Sequence, residues 1–182
     1  MAKLYLVRHG RAASSWGLEE DPGLDALGRA QAEAAAQRLA SLGQLPIITS
    51  PLKRARETSA PLAAVWRIEP IIEPRVGEIR FPSETPADRV RWLKEVMADQ
   101  WSNLSQDLQA WRLDVIETLY AIRTDSVIFS HFIAINVAVG FAVEDDRVVS
   151  FRPDNASITV LETNAININL LKRGDEADTR VN

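Results

Sequence analysis

The chain has no cysteine and only two histidines among its 182 residues. The lack of thiols excludes disulfides, thiolate metal sites and a cysteine nucleophile, and it fits a reducing, cytoplasmic setting. Long apolar runs are also missing: none approaches the ~18 residues that a membrane-crossing helix requires, and the N-terminal MAKLYLVRHG is too short in its apolar part for a signal peptide. Nor is there an excess of positive charge. A net charge of −4 and a pI near 5.3 argue against nucleic acid or an anionic membrane as partner. What remains is 46% hydrophobic and 25% charged, an ordinary globular composition of a length suited to one domain over 1–182.

Short apolar, β-prone runs recur along the chain. KLYLVR at 3–8, PIIT at 46–49 and SVIF at 126–129 read as buried strands, and VVSF, SITVLE and ININLLK are strand candidates near the C-terminus. Helical patterns alternate with them. One starts at Asp25 as N-cap, with Leu27, Gln31, Ala35 and Leu39 on one face and Gly43 at its end. A second is expected to start at Ser50-Pro51, as N-cap and first-turn proline, with a kink at Pro61. Residues 70–83 read as an irregular connection, followed by helices near 86–101 and 105–123 and a helix apolar almost all round in FIAINVAVGF. Strands alternating with helices predict a three-layer α/β/α fold with a mainly parallel central sheet. The 79–123 region is expected to form a helical cap or insertion.

Both histidines directly follow or nearly follow such a strand: His9 after KLYLVR and His131 after SVIF and one serine. In open α/β sheets ligands bind beyond the carboxyl ends of the strands, so neighbouring strands would bring both imidazoles into one crevice. Arg8 and Arg11 flank His9. Like charges around a histidine make poor structural sense unless an anion is their partner, and the planar fork of arginine suits phosphate. Lys53, Arg54 and Arg56 add cations in the first turns of the second helix, against the helix dipole. Acid–base work on a phosphate ester also needs a carboxyl near the leaving oxygen, and spacing alone does not choose among Glu73, Glu78 and Glu84. Two histidines 122 positions apart, with no clustered carboxylates, lack any metal-ligand spacing. No metal and no cofactor is expected.

These residues resemble the histidine phosphatase superfamily, which includes the cofactor-dependent phosphoglycerate mutases. LVRHG at 6–10 looks like the family signature, LDALGRAQA at 24–32 like its first-helix motif, and TSPLKRARETS at 49–59 like its serine-proline-leucine block. VGEI at 76–79, VIFSHFIAI at 127–135 and NASITVLE at 155–162 follow in family order. The resemblance implies a phosphoglycerate mutase-like fold and a metal-independent phosphomonoesterase acting on a small-molecule phosphate ester. It implies His9 as the nucleophile that becomes a phosphohistidine and Glu78 as the general acid. His131, Arg8 and Arg54 complete the site. Ser15, which can still donate one hydrogen bond, and Arg11, a cation beside His9, are expected as further phosphate contacts.

Three positions depart from the family pattern. Ser15 stands where many members have asparagine, Arg11 where an acidic residue is common, and Phe132 where glycine usually follows the second histidine. Two other readings fit the same residues. One is a phosphoglycerate-type phosphomutase, for which Arg80, Arg89 and Arg91 are available. The other is a phospho-ligand-binding module without turnover.

Overall fold

A computed structural model describes residues 1–14, 21–80, 85–164 and 166–177. Six strands form one sheet: β1 (Ala2–Arg8), β2 (Ile47–Thr49), β3 (Ile71–Ile72), β4 (Ser126–Ser130), β5 (Ile158–Thr163) and β6 (Ile168–Lys172), in the order β3-β2-β4-β1-β5-β6. The β1, β2, β3 and β4 pairings are parallel, whereas β5 runs antiparallel to β1 and β6 antiparallel to β5. The central strands are buried on both faces, which is why they read as continuous apolar runs.

Helices α1 (Ala26–Ala40) and α2 (Lys53–Trp66) cover one face, packing Ala35, Leu39, Leu62 and Trp66 against Val7, Val127 and Phe129. On the other face lie α3 (Pro86–Met97), α4 (Gln106–Ala121) and α5 (Phe132–Ala142), with Val96, Leu119 and Ile133 packed around Leu4, Leu6 and Ile128. The result is a three-layer α/β/α arrangement. Residues 132–140 of α5 are all buried, as its all-round apolar sequence requires. At about 1.5–3 kcal/mol for each large apolar side chain removed from water, this helix anchors its layer.

Several local expectations are corrected. The second helix begins at Lys53 rather than at Ser50-Pro51: Ser50 Oγ, which also pairs with His131, accepts the Leu52 N–H, and the Asp21 carboxylate accepts the Lys53 N–H at 2.9 and 3.1 Å. Pro61 lies inside α2, and the helix continues through it to Trp66. Leu27, placed on the apolar face of α1, is 45% exposed, and the buried position beside it is Gly28. The connection at 70–83 contains the two-residue β3 and a 3-10 turn at Pro74–Val76.

VVSF is not a strand. The fully buried Asn136 Oδ1 accepts the Ser150 and Phe151 N–H groups, and Asp99 O accepts that of Val148, so no neighbouring strand is needed. This irregular stretch carries the chain back to the carboxyl edge of the sheet. There β5 starts beside Val7 and therefore runs antiparallel to β1.

Candidate active site

The chain leaves β1 toward α1 on one face and leaves β4 toward α5 on the other. Neighbouring strands whose connections depart to opposite faces open a crevice at their carboxyl ends. Arg8 and Ser130 are partners across β1 and β4, so His9 and His131, one residue beyond each, meet there. Their ring centroids are 5.1 Å apart, and they are 6% and 0% exposed.

His9 Nδ1 donates to the Gly10 carbonyl at 2.7 Å. A carbonyl only accepts, so the proton sits on Nδ1 and Nε2 keeps its lone pair. Arg54 Nε points at that lone pair from 3.3 Å. Burial, then Arg54 and Arg8, hold the His9 pKa well below its ordinary 6.5. The ring is thus neutral, with its unprotonated nitrogen facing the Arg54 guanidinium.

Arg8 is tied by Nη1 to Pro153 O at 2.8 Å and lies over the Phe132 ring at 5.1 Å. Arg54 is 6% exposed, with Nη1 3.9 Å from Asp21. Burial lowers the pKa of both guanidiniums, with Glu78 as the leading opposing charge. His131 Nε2 pairs with Ser50 Oγ at 2.8 Å, and its pKa too is held well below 6.5 by burial, His9 and the two arginines. Four buried side-chain nitrogens or oxygens lack a hydrogen-bond partner among the described residues, and two of them, Arg8 Nε and His131 Nδ1, belong to this cluster. Buried donors without acceptors are costly, and an anion in the crevice would relieve that cost.

Glu78 is 7% exposed. Its Oε1 accepts from Ile79 N at 3.0 Å and its Oε2 from Ile133 N at 3.3 Å, at the start of α5. Burial raises its pKa above 4.5, although the two N–H groups and both arginines pull the other way. Burial thus strengthens the hold of this carboxyl on a proton beside the cationic cluster. Glu73, one alternative acid, is committed to Arg75 at 2.8 Å, and its pKa is lowered accordingly. Glu84, the other, lies outside the described residues, as does Ser15.

Arg11 is not part of this cluster. Its Nε donates to Asp25 Oδ2 at 2.6 Å and its side chain is 56% exposed, so its charge supports the start of α1. Of the three cations early in α2, only Arg54 is buried; Lys53 and Arg56 are exposed. No group of three or more His, Cys, Asp or Glu residues suited to a metal ion occurs among the described residues.

Two contributors lie within the quoted motifs but were not singled out from the sequence. Thr58 Oγ1 accepts from Gly10 N at 3.0 Å and donates to Arg54 O at 2.6 Å, joining the loop after β1 to α2. Asn155 Nδ2 donates to His9 O at 3.0 Å from the turn before β5. Gly10 and Gly28 pack closely: a Cβ on Gly10 would meet Gly28 O at 2.5 Å, and one on Gly28 would collide with Arg11 O. The paired glycines of RHG and LDALG were the available signal for this contact.

The sequence matches the histidine phosphatase superfamily (branch 1) over residues 4–176. The chain belongs to that superfamily. It is similar to the "Probable phosphoglycerate mutase GpmB" of Photorhabdus laumondii, with 34% identity over 110 residues, 53% of this chain and 50% of that protein. It also resembles an uncharacterized protein of Mycobacterium tuberculosis, 44% identical over 66 residues, 34% of this chain and 33% of the other. The matches thus span half or less of these curated relatives.

Among solved structures, a mycobacterial glucosyl-3-phosphoglycerate phosphatase superposes with a TM-score of 0.74 at 22% identity, covering 97% of this chain and 100% of that one. Phosphoserine phosphatase from Entamoeba histolytica, in complex with 3-phosphoglyceric acid, gives 0.75 at 21%, covering 96% and 98%. At such identities the likeness is one of fold. No described helix is long and apolar enough to cross a membrane.

Proposed function

We propose that the chain is a phosphomonoesterase that hydrolyses a small phosphorylated substrate through a phosphohistidine on His9. The observation that carries this reading is the buried His9, with Nδ1 held by the Gly10 carbonyl and the Nε2 lone pair facing Arg54, in a crevice where Arg8 Nε and His131 Nδ1 have no hydrogen-bond partner among the described residues. In the first step Nε2 attacks phosphorus, the phosphorus–oxygen ester bond breaks, and Glu78 gives its proton to the departing oxygen. In the second, water attacks the phosphorus, its proton goes to Glu78, and the phosphorus–nitrogen bond breaks to release inorganic phosphate.

Arg8, Arg54 and His131 Nδ1 stabilise the charge on the non-bridging oxygens throughout, and Ser15 is a further candidate donor. The low pKa of His9 keeps its lone pair available in the positive field. These groups supply nucleophile, acid and charge stabilisation, and we read the reaction as independent of metal. The name of the GpmB relatives favours a second reading, phosphoryl transfer between positions of a phosphoglycerate.

A turnover screen against phosphoglycerates, phosphoserine and other phosphometabolites tests both readings. Phosphate release without isomer exchange supports the phosphatase, exchange between phosphoglycerates supports the mutase, and stabilisation by ligand without turnover supports a binding module. His9→Ala should abolish turnover and phosphoenzyme labelling together, and EDTA should leave turnover intact. Normal turnover by the His9 variant would overturn the mechanism.

A further inference from the structure

The two peptide units on either side of Gly10 are both held from outside. The His9–Gly10 unit has its carbonyl bonded to Asn155 Nδ2 and its N–H to Thr58 Oγ1, each at 3.0 Å. The Gly10–Arg11 unit gives its N–H to Gln31 Oε1 at 2.8 Å, while its carbonyl accepts from His9 Nδ1 at 2.7 Å. Gln31, on α1, is therefore connected to the imidazole through a single peptide group.

A peptide group is planar, so an acceptor fixed at its N–H end fixes the direction of its carbonyl. Donation at one end also polarises the other, strengthening the bond that the carbonyl accepts. This bond matters because it selects the ring nitrogen that keeps the proton. Elsewhere a carboxylate commonly has this task; here the partner of Nδ1 is a backbone carbonyl. That carbonyl follows glycine, the residue with the freest backbone.

We propose that Gln31 is a positioning residue for His9: by holding the Gly10–Arg11 peptide it keeps the proton on Nδ1 and the lone pair on Nε2. The catalytic consequence rests on the reading of His9 as nucleophile, whereas the effect on the tautomer does not. Gln31 touches neither the ring nor the crevice donors, so its removal leaves the anion contacts of Arg8, Arg54 and His131 in place.

The test is nitrogen NMR of protein labelled with ¹⁵N-histidine, in the wild type, Gln31→Met and Gln31→Glu. With two histidines in the chain, His131→Asn assigns the spectrum. Methionine keeps the length and helix preference of glutamine but accepts no N–H, while glutamate keeps the acceptor. The wild type and the Glu variant should show one protonated Nδ1 and one unprotonated Nε2 for His9. The Met variant should show averaged shifts, and its phosphoenzyme should form about tenfold more slowly with the affinity for inorganic phosphate unchanged.

A wild-type tautomer in the Met variant, or a lost one in the Glu variant, overturns the proposal. A shifted tautomer in the Met variant alone supports it even if no variant, wild type included, forms a phosphoenzyme. In that case the functional reading is what fails.

Discussion

Ser50 Oγ lies 2.8 Å from Nε2 of His131, joining the end of β2 to the start of α5 inside the buried cluster. The same oxygen accepts the Leu52 N–H at 3.2 Å, which leaves the hydroxyl proton available for the ring. Ser50→Ala strands a fully buried nitrogen, at a cost of about 1–3 kcal/mol. For a chain of this size the thermal midpoint should fall by roughly 3–10 °C. The inhibition constant for inorganic phosphate should rise as His131 loses its orientation. Ser50→Thr, which keeps the hydroxyl, should recover both.

Under the proposed mechanism the reacting form has Glu78 protonated and His9 neutral, so the raised pKa of Glu78 and the lowered pKa of His9 should set the pH dependence of kcat/KM. Because His9 titrates well below 6.5, activity should not fall near pH 6.5 on the acid side, where an ordinary histidine would lose it. On the alkaline side it should fall once pH exceeds the raised value of Glu78, which lies above 4.5. Glu78→Gln should remove that alkaline limb. It should also slow an alkyl phosphate by about 10²–10⁴ and an activated aryl phosphate much less. Equal losses on both substrates would assign the acid elsewhere.

Much of this site was legible because strand-then-histidine is a local pattern, and the parallel pairing of β1 with β4 turns two local patterns into one crevice. The apolar stretch of α5 and the Asp25 cap were legible for the same reason: each is written in consecutive residues. Ser50 was not. Its hydroxyl serves two partners at once, the nearby Leu52 N–H and an imidazole 81 positions away, and only the fold brings the second within reach. Arg11 and Arg8 look alike in sequence, yet one meets Asp25 at the surface and the other is carried inward by β1. VVSF has strand-like residues, but Asn136 satisfies its backbone from a helix, an arrangement with no sequence period.

Stability should also respond to pH through the same buried groups. His9 and His131 are neutral when folded, with pKa values far below 6.5, so below pH 6.5 the unfolded chain binds protons that the folded one does not. Their contribution is full above pH 6.5 and is lost as pH falls toward the folded values. Glu78 acts in the opposite sense: its contribution is full below 4.5 and is lost as pH rises through its raised folded value. Denaturant unfolding from pH 7.5 to 5 should therefore show stability declining, and the decline should be shallower in His131→Asn. An unchanged slope in that variant would refute the burial of a neutral His131.

The Phe132 ring lies 5.1 Å from the Arg8 guanidinium. Such a contact contributes about 0.5–2 kcal/mol depending on solvent access. Phe132→Leu keeps the apolar volume but removes the quadrupole, so Arg8 should be held by Pro153 O alone. We expect the inhibition constant for inorganic phosphate to rise by about threefold to tenfold, with little change in thermal stability. Unaltered phosphate affinity would show that Arg8 needs no support from the ring.

Asp21 places a carboxylate 3.9 Å from Arg54 Nη1 while accepting the Lys53 N–H at the start of α2. Two roles are superposed in one side chain: a helix cap, and a negative charge competing with an incoming anion for Arg54. Asp21→Asn separates them, since asparagine caps as well as aspartate but carries no charge. The Asp21 side chain is 42% exposed, so solvent screening limits the charge effect to below about 1 kcal/mol. That corresponds to at most about a fivefold gain in affinity. Inorganic phosphate and vanadate should both inhibit Asp21→Asn more strongly than wild type, and the gain should shrink at 0.5 M salt. If the affinity instead falls, Asp21 serves the anion site chiefly by orienting Arg54, and its charge is no obstacle to binding.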